Sequence, residues 1–234
     1  MVSANKSHTR RNILRSGAGL LLALTAGGAL AGPSTKLDPE EGVTAPEDLM
    51  KEHGVLNRCL LVYEEGIRRV QADHAVDAEA FRTAAEMVKT FVEQYHEKNE
   101  ENFIFPEFEK AGVETALVRT LREQHQAGRR VTEEILRLSR PAEFRMRKNR
   151  EVLIAACRSF IRMYRPHESR EDTVLFPALR TILPAKAVEA LGGKMEKQEE
   201  QVLGKEGFER SVQRIADLEK QLGIYELAQF TPTT

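Results

Sequence analysis

Two segments of this 234-residue chain open on the same words, and the repetition limits the folds available to it. His96 begins His-Glu-Lys-Asn-Glu-Glu-Asn-Phe-Ile-Phe-Pro, and His167 begins His-Glu-Ser-Arg-Glu-Asp-Thr-Val-Leu-Phe-Pro. The shared skeleton, H-E-x-x-E-[ED]-x-x-[IL]-F-P, recurs at an offset of 71 residues. Two more histidines, His53 and His125, stand 72 apart and lie 43 and 42 residues upstream of the two phrases. The chain therefore reads twice as a lone histidine followed by His-Glu-x-x-Glu. A helical bundle with a two-metal site in its core is a fold that brings such duplicated positions together.

Apolar spacing predicts four long helices, and no alternating strand pattern of useful length occurs, so the expected class is all-α. Residues 32–45 read as a polar linker, after which Pro46 suits the first turn of a helix. Leu49, His53, Leu56, Leu60, Tyr63, Ile67 and Val70 then follow one face. A second helix is expected after Asp77 as N-cap, with Phe81, Ala85, Val88, Val92, His96, Glu100 and Phe103 on its stripe. Pro106 stops or bends it, and Gly112 closes the turn. The third stripe is Val118, Leu121, His125, Gly128, Ile135 and Leu138. The fourth is Leu153, Ala156, Phe160, Met163, His167, Glu171 and Val174, with a bend expected at Pro166. The bundle spans residues 46–183, and 184–234 form a helical extension interrupted at Gly192-Gly193 and packed on its outside.

His96 and Glu100 are four apart, so they share a helix face about 6 Å apart along the axis. His167 and Glu171 repeat that spacing, while Glu97 and Glu168 sit at the edge of the same face and Glu101 points to another. One histidine on an apolar stripe is ordinarily a hydrogen-bonded core residue. Four, one per stripe, with two carboxylates in register, need compensating positive charge, because burying a carboxylate alone is costly. Bound cations supply it. The phrase is not a zinc-protease signature, which needs histidine at its fifth position.

The N-terminus has a different character. Thr9-Arg10-Arg11-Asn12-Ile13-Leu14-Arg15 resembles a twin-arginine export signal, and the apolar run after it ends in Ala29-Leu30-Ala31, a small-x-small cleavage site. Residues 1–31 are read as that signal, giving a periplasmic or otherwise exported protein with no stable membrane anchor. They hold four of the 35 basic residues and no acid, which leaves 31 basic against 36 acidic residues and a net charge of −5. A mildly acidic domain argues against nucleic acid as a partner. Cys59 and Cys157 are expected as buried free thiols, a disulfide being the alternative in an oxidising compartment. Tyr95, Tyr164, Phe105 and Phe176 are expected to pack at seam edges and bundle ends.

The lone histidines and the H-E-x-x-E phrases before an aromatic-Pro pair resemble the hemerythrin-like, HHE cation-binding family over about Pro46 to Leu183. The resemblance implies an up-down four-helix bundle holding two non-haem irons with an oxo or hydroxo bridge, manganese or zinc being alternatives. It implies His53, His96, His125 and His167 as terminal ligands and Glu100 and Glu171 as bridging carboxylates. The oxygen-carrying hemerythrins use five histidines. No fifth lies on a seam here: His74 reads as a surface residue and His8 falls in the export segment. Glu97, Glu168 or water must fill the gap, and Asp172 is an alternative to Glu171 as the bridge. Two octahedral ions offer about twelve positions. Bridges and four histidines leave two, so one carboxylate more leaves a single opening for dioxygen, nitric oxide or peroxide. The expected function is a non-haem di-iron protein that binds dioxygen or nitric oxide. The alternatives are a reductase or peroxidase served by a separate electron donor, or an iron-holding protein.

Overall fold

A computed structural model describes residues 44–74 and 78–232. Residues 1–31, expected as an export signal, nearly all of the expected linker, and Asp77, the expected N-cap, lie outside those residues. Among the described residues every regular element is helical, and the fold is an all-α four-helix bundle with additional C-terminal helices.

Helix α1 is Ala45–Gln71, and it buries Leu49, His53, Leu56, Leu60, Tyr63 and Ile67 as the three-four spacing predicts. Helix α2 starts at Ala78–Met87 and continues without interruption through a π-helical stretch Val88–His96, one α-turn Glu97–Asn99, a second π stretch Glu100–Ile104 and a final α segment Phe105–Ala111. Gly112 ends it in the left-handed conformation (φ 69°), which glycine adopts without a Cβ penalty. Helix α3 is Thr115–Leu138 and α4 is the short Pro141–Phe144. Helix α5 runs Arg147–Arg170, passes into a π stretch Glu171–Leu175, and finishes as Phe176–Ile182. Helices α6, Ala185–Val202, and α7, Gly207–Gln221, complete the described chain with a last 3-10 turn, Leu227–Phe230.

The core is in two parts with a polar layer between them. One cluster holds Leu56, Leu60, Phe81, Tyr95, Ile135, Leu153 and Phe160. The other holds Leu49, Ile104, Phe108, Val118, Leu121, Leu175 and Leu179. Along α1 the chain passes from the second cluster through His53 to the first. Along α2 it passes the opposite way through His96 and Glu100, and α3 and α5 repeat the alternation through His125 and through His167 and Glu171. That order is the up-down topology, and it puts all four histidines at one level. Each long helix packs against two others, α1 on α2 and α5, α3 on α2 and α5.

Several details depart from the sequence reading. The buried position after each glutamate is Ile104 or Leu175, not Phe103 or Val174, which are only partly covered. The cause is the π stretch: i→i+5 bonding admits an extra residue and advances the buried face by one. On α5, Cys157 and Tyr164 are buried along with Leu153 and Phe160, whereas Ala156 and Met163 are only partly covered, at the seam edge. Pro166 sits inside an unbroken α-helical run, and the change of winding comes five residues later at Glu171. Gly192-Gly193 does not break α6, since glycine inside a helix costs only about 1 kcal/mol. The break falls instead around Gly204 (φ 76°). Helix α7 is not merely external: Ile215, Leu218 and Leu222 belong to the first core cluster, and Leu191 and Met195 of α6 to the second.

Candidate metal centre

His53, His96, His125 and His167 are all buried, at most 4% exposed, and their Nε2 atoms face two glutamates. Glu100 presents Oε1 to His96 Nε2 at 3.6 Å and Oε2 to His125 Nε2 at 3.4 Å. Glu171 Oε2 lies 3.4 Å from His53 Nε2 and 3.2 Å from His167 Nε2. The Nε2 atoms of His125 and His167 are 3.2 Å apart. Each glutamate thus spans histidines on two different helices. Two groups of potential ligands result: His53, His96 and Glu100, and His125, His167 and Glu171. Both glutamates open a π stretch, so the same local distortion recurs at the same point of both phrases. Such segments inside α-helices are frequent at functional sites.

The outward face of every imidazole is held as well. His53 Nδ1 bonds Asp172 Oδ1 at 2.8 Å, and His96 Nδ1 bonds Glu52 Oε2 at 2.9 Å. His125 Nδ1 bonds Glu101 Oε1 at 3.1 Å, and His167 Nδ1 bonds Gln124 Oε1 at 2.8 Å. All four partners are acceptors, so Nδ1 carries a proton, and Nε2, once it has released its own, is the nitrogen that turns a lone pair inward. A metal-binding histidine needs that tautomer, and an outer carboxylate also raises its basicity. The partners form a closed circuit: α1 holds a ring of α2, α2 one of α3, α3 one of α5, and α5 one of α1. Phe105 stacks on His125 and Phe176 on His53, with centroids 5.5 and 5.7 Å apart, so these rings also fix imidazole planes.

Glu97 and Glu168 occupy equivalent positions in unlike surroundings. Arg129 Nη2 donates to Glu97 Oε2 at 2.7 Å, and the Tyr164 hydroxyl donates to Oε1 at 2.6 Å. Both oxygens are committed. Asn57 Nδ2 donates to Glu168 Oε2, and Glu168 Oε1 is buried without a hydrogen-bond partner. Glu97, Glu101 and His125 form a third acidic group, but the Arg129 guanidinium already bridges its two carboxylates.

The protein groups of this layer hold more carboxylates than fixed cations. Burial works against a charged His125, yet Glu97, Glu100 and Glu101 lift its pKa to about 10. Burial opposes charge on His53 too, and Asp172 and Glu171 overcome it. His96 rises against burial through Glu100 and Glu52. Glu171 is pushed up by burial but drawn well below the carboxylate range by His167 and His53. Glu101, against burial, is lowered by His125, Lys98 and Arg129. Burial carries Glu168 up to about 7. His53 Nε2, both oxygens of Glu100, both of Glu171 and Glu168 Oε1 are buried with no hydrogen-bond partner. Buried polar atoms without partners are rare in folded proteins, and a cluster of them turned to the interior has the chemistry of cation ligands. A set of imidazole nitrogens and carboxylate oxygens suits iron, manganese or zinc.

All eight residues singled out from the sequence lie in this layer. Six of them, the histidines with Glu100 and Glu171, face the interior point; Glu97 is turned aside by Arg129 and Tyr164. Asp172 stands behind His53 rather than among the converging atoms. Glu101 does not point away, as its place on the helix suggested: it holds His125, because α3 crosses on that side. Glu52, Gln124, Asn57 and Arg129 were missed. Their trace is present nonetheless, since Glu52 and Gln124 immediately precede the lone histidines, and Asn57 and Arg129 both follow four residues later. Tyr95 is fully buried rather than at a seam edge, and its hydroxyl donates to Glu52 at 2.7 Å. His74 is exposed. Cys59 and Cys157 are buried free thiols, and burial pushes Cys59 up to about 12. No described helix is long and apolar enough to cross a membrane.

Residues 44–179 match the family model of the hemerythrin HHE cation-binding domain. An uncharacterized protein of Mycobacterium bovis is 45% identical over 201 residues, covering 86% of this chain and 79% of its own length. Uncharacterized proteins of two Mycobacterium tuberculosis strains match to the same extent. No solved structure matches.

Proposed function

Since this chain belongs to the hemerythrin HHE cation-binding family, we propose that it is a di-iron protein whose ions take up dioxygen or nitric oxide. His53 and His96 would hold one ion and His125 and His167 the other, with Glu100 and Glu171 as the carboxylates available to both. The observation that carries this reading is the set of four inward Nε2 atoms, each ring fixed from behind by an acceptor. Such preorganisation is costly to build around empty space and natural around a metal pair. Iron, when bound, supplies redox chemistry and affinity for small diatomic ligands. The protein's own residues orient the imidazoles, spread the carboxylates between two positions and exclude bulk water. The twin-arginine-like N-terminus supports a place of action outside the cytoplasm, after folding and loading inside it.

One observation favours a second reading, a reductase or peroxidase. The Tyr164 ring lies against His167, with centroids 5.3 Å apart, and its hydroxyl is held on Glu97, which places an oxidisable phenol beside the histidine layer. Metal content per chain, with an absorption spectrum, tests the shared premise. Two irons and the near-ultraviolet bands of a coupled ferric pair are expected. Reversible spectral change on gas exchange is expected of the binding protein. Steady consumption of peroxide or nitric oxide with a reductant would overturn binding in favour of turnover. Folded protein that takes up no ferrous iron would end both readings.

A further inference from the structure

The duplication makes the two halves of the site comparable position by position, and they differ in charge. Around His53 and His96 stand three carboxylates, Asp172, Glu52 and Glu168, with neutral Asn57. Around His125 and His167 stand two carboxylates, Glu101 and Glu97, with the Arg129 cation on both and neutral Gln124 behind His167. Asn57 and Arg129 sit at the same place, four residues after the lone histidine. Their effects diverge. Asn57 leaves Glu168 Oε1 buried and free, within electrostatic reach of His53 and His96. Arg129 and Tyr164 use both oxygens of Glu97.

Resting on the two-metal reading, we infer that the two metal positions are inequivalent and fill in order. The ion at His53 and His96 binds first and gains Glu168 as an additional ligand. The ion at His125 and His167 binds more weakly, with one protein ligand fewer and a guanidinium nearby. Arg129 is the positioning residue that sets the difference. It acts by withholding Glu97 and by adding a positive charge where Asn57 adds none. Outer groups around metal-binding histidines commonly change affinity by about 10–100-fold, which is ample to separate two loading steps.

The test is titration of the metal-free full chain with cobalt(II) alone, followed by calorimetry and the cobalt visible spectrum. The expected result is two cobalt ions per chain, the first bound about tenfold or more tightly than the second. Arg129→Asn should tighten the second step and narrow the gap, and Arg129→Lys, which keeps the charge, should preserve much of it. If Arg129→Asn does not fold, half-site variants answer instead: His53→Ala should abolish the tight step, and His167→Ala should retain it. Two steps of equal affinity in the wild type would overturn the inference while leaving two metals. So would an unchanged gap in folded Arg129→Asn, or a surviving tight step in His53→Ala. Saturation below two ions in the wild type would overturn the two-metal reading and the inference together.

Discussion

Glu171 and Asp172 are neighbours in sequence but lie on opposite sides of an imidazole: Glu171 faces His53 Nε2, and Asp172 is bonded to Nδ1 of the same ring. Their alanine variants should therefore fail differently. Glu171→Ala should lower metal content below two per chain, whereas Asp172→Ala should retain two ions bound about 10–100-fold more weakly. Elemental analysis beside a competition titration separates the cases, and an emptied site in Asp172→Ala alone would reverse the assignment. Glu101→Ala should behave like Asp172→Ala, since Glu101 does the same for His125. The inward-facing residues were legible because they repeat within single helices. Their outer partners were not, because helix-face reasoning describes one helix at a time. Glu101 and His125 are 24 residues apart, and Asp172 and His53 are 119 apart. Only after the helices are assembled does an apparently solvent-facing glutamate acquire a histidine.

At the scale of the element, periodicity located four helices and their buried faces, and it failed where the winding changed. Propensity carries no mark for a π stretch, across which Glu100 and Phe105 both meet His125, and Glu171 and Phe176 both meet His53. The close approach of α3 and α5 was likewise invisible, though Gly128 on the third stripe was its sign. A Cβ there would overlap the Tyr164 hydroxyl and ring. Gly128→Ala should destabilise the protein by about 1–3 kcal/mol through overpacking. It should also displace Tyr164 from Glu97. Denaturant unfolding reads the first effect, and unchanged stability would show that α3 and α5 can separate at no cost. The run through Gly192-Gly193 teaches the converse. Two glycines suggested a break, but α6 lies against the bundle there, with a Cβ on Gly192 only 3.8 Å from the Ala45 nitrogen.

For the whole molecule, the layered core makes metal and fold interdependent. Removing the ions leaves buried carboxylates and imidazoles to share protons in the middle of the bundle, so chelation should lower the melting temperature and re-addition should restore it. Ligand present at a thousand times its dissociation constant contributes about 4 kcal/mol, a large part of a typical domain's stability. The C-terminal helices belong to this unit. Ile215, Leu218 and Leu222 reach the first core cluster, and Arg58 on α1 makes a bidentate pair with Glu219 on α7. A chain ended at residue 183 should lose cooperative unfolding in denaturant, because burial of each such side chain is worth about 1.5–3 kcal/mol. The circuit of histidine partners has one more implication. Helices α1 and α2 alone carry Glu101 with no His125 to hold and His53 with no Asp172 behind it. A second copy of the same pair, turned by a twofold axis, would supply both needs, because the corresponding positions are complementary. In its architecture the bundle is a homodimer drawn onto one thread. Two identical subunits must present the same side chain at both copies of a site. A single chain is free of that obligation, and Asn57 opposite Arg129 is a pairing that only the joined form permits.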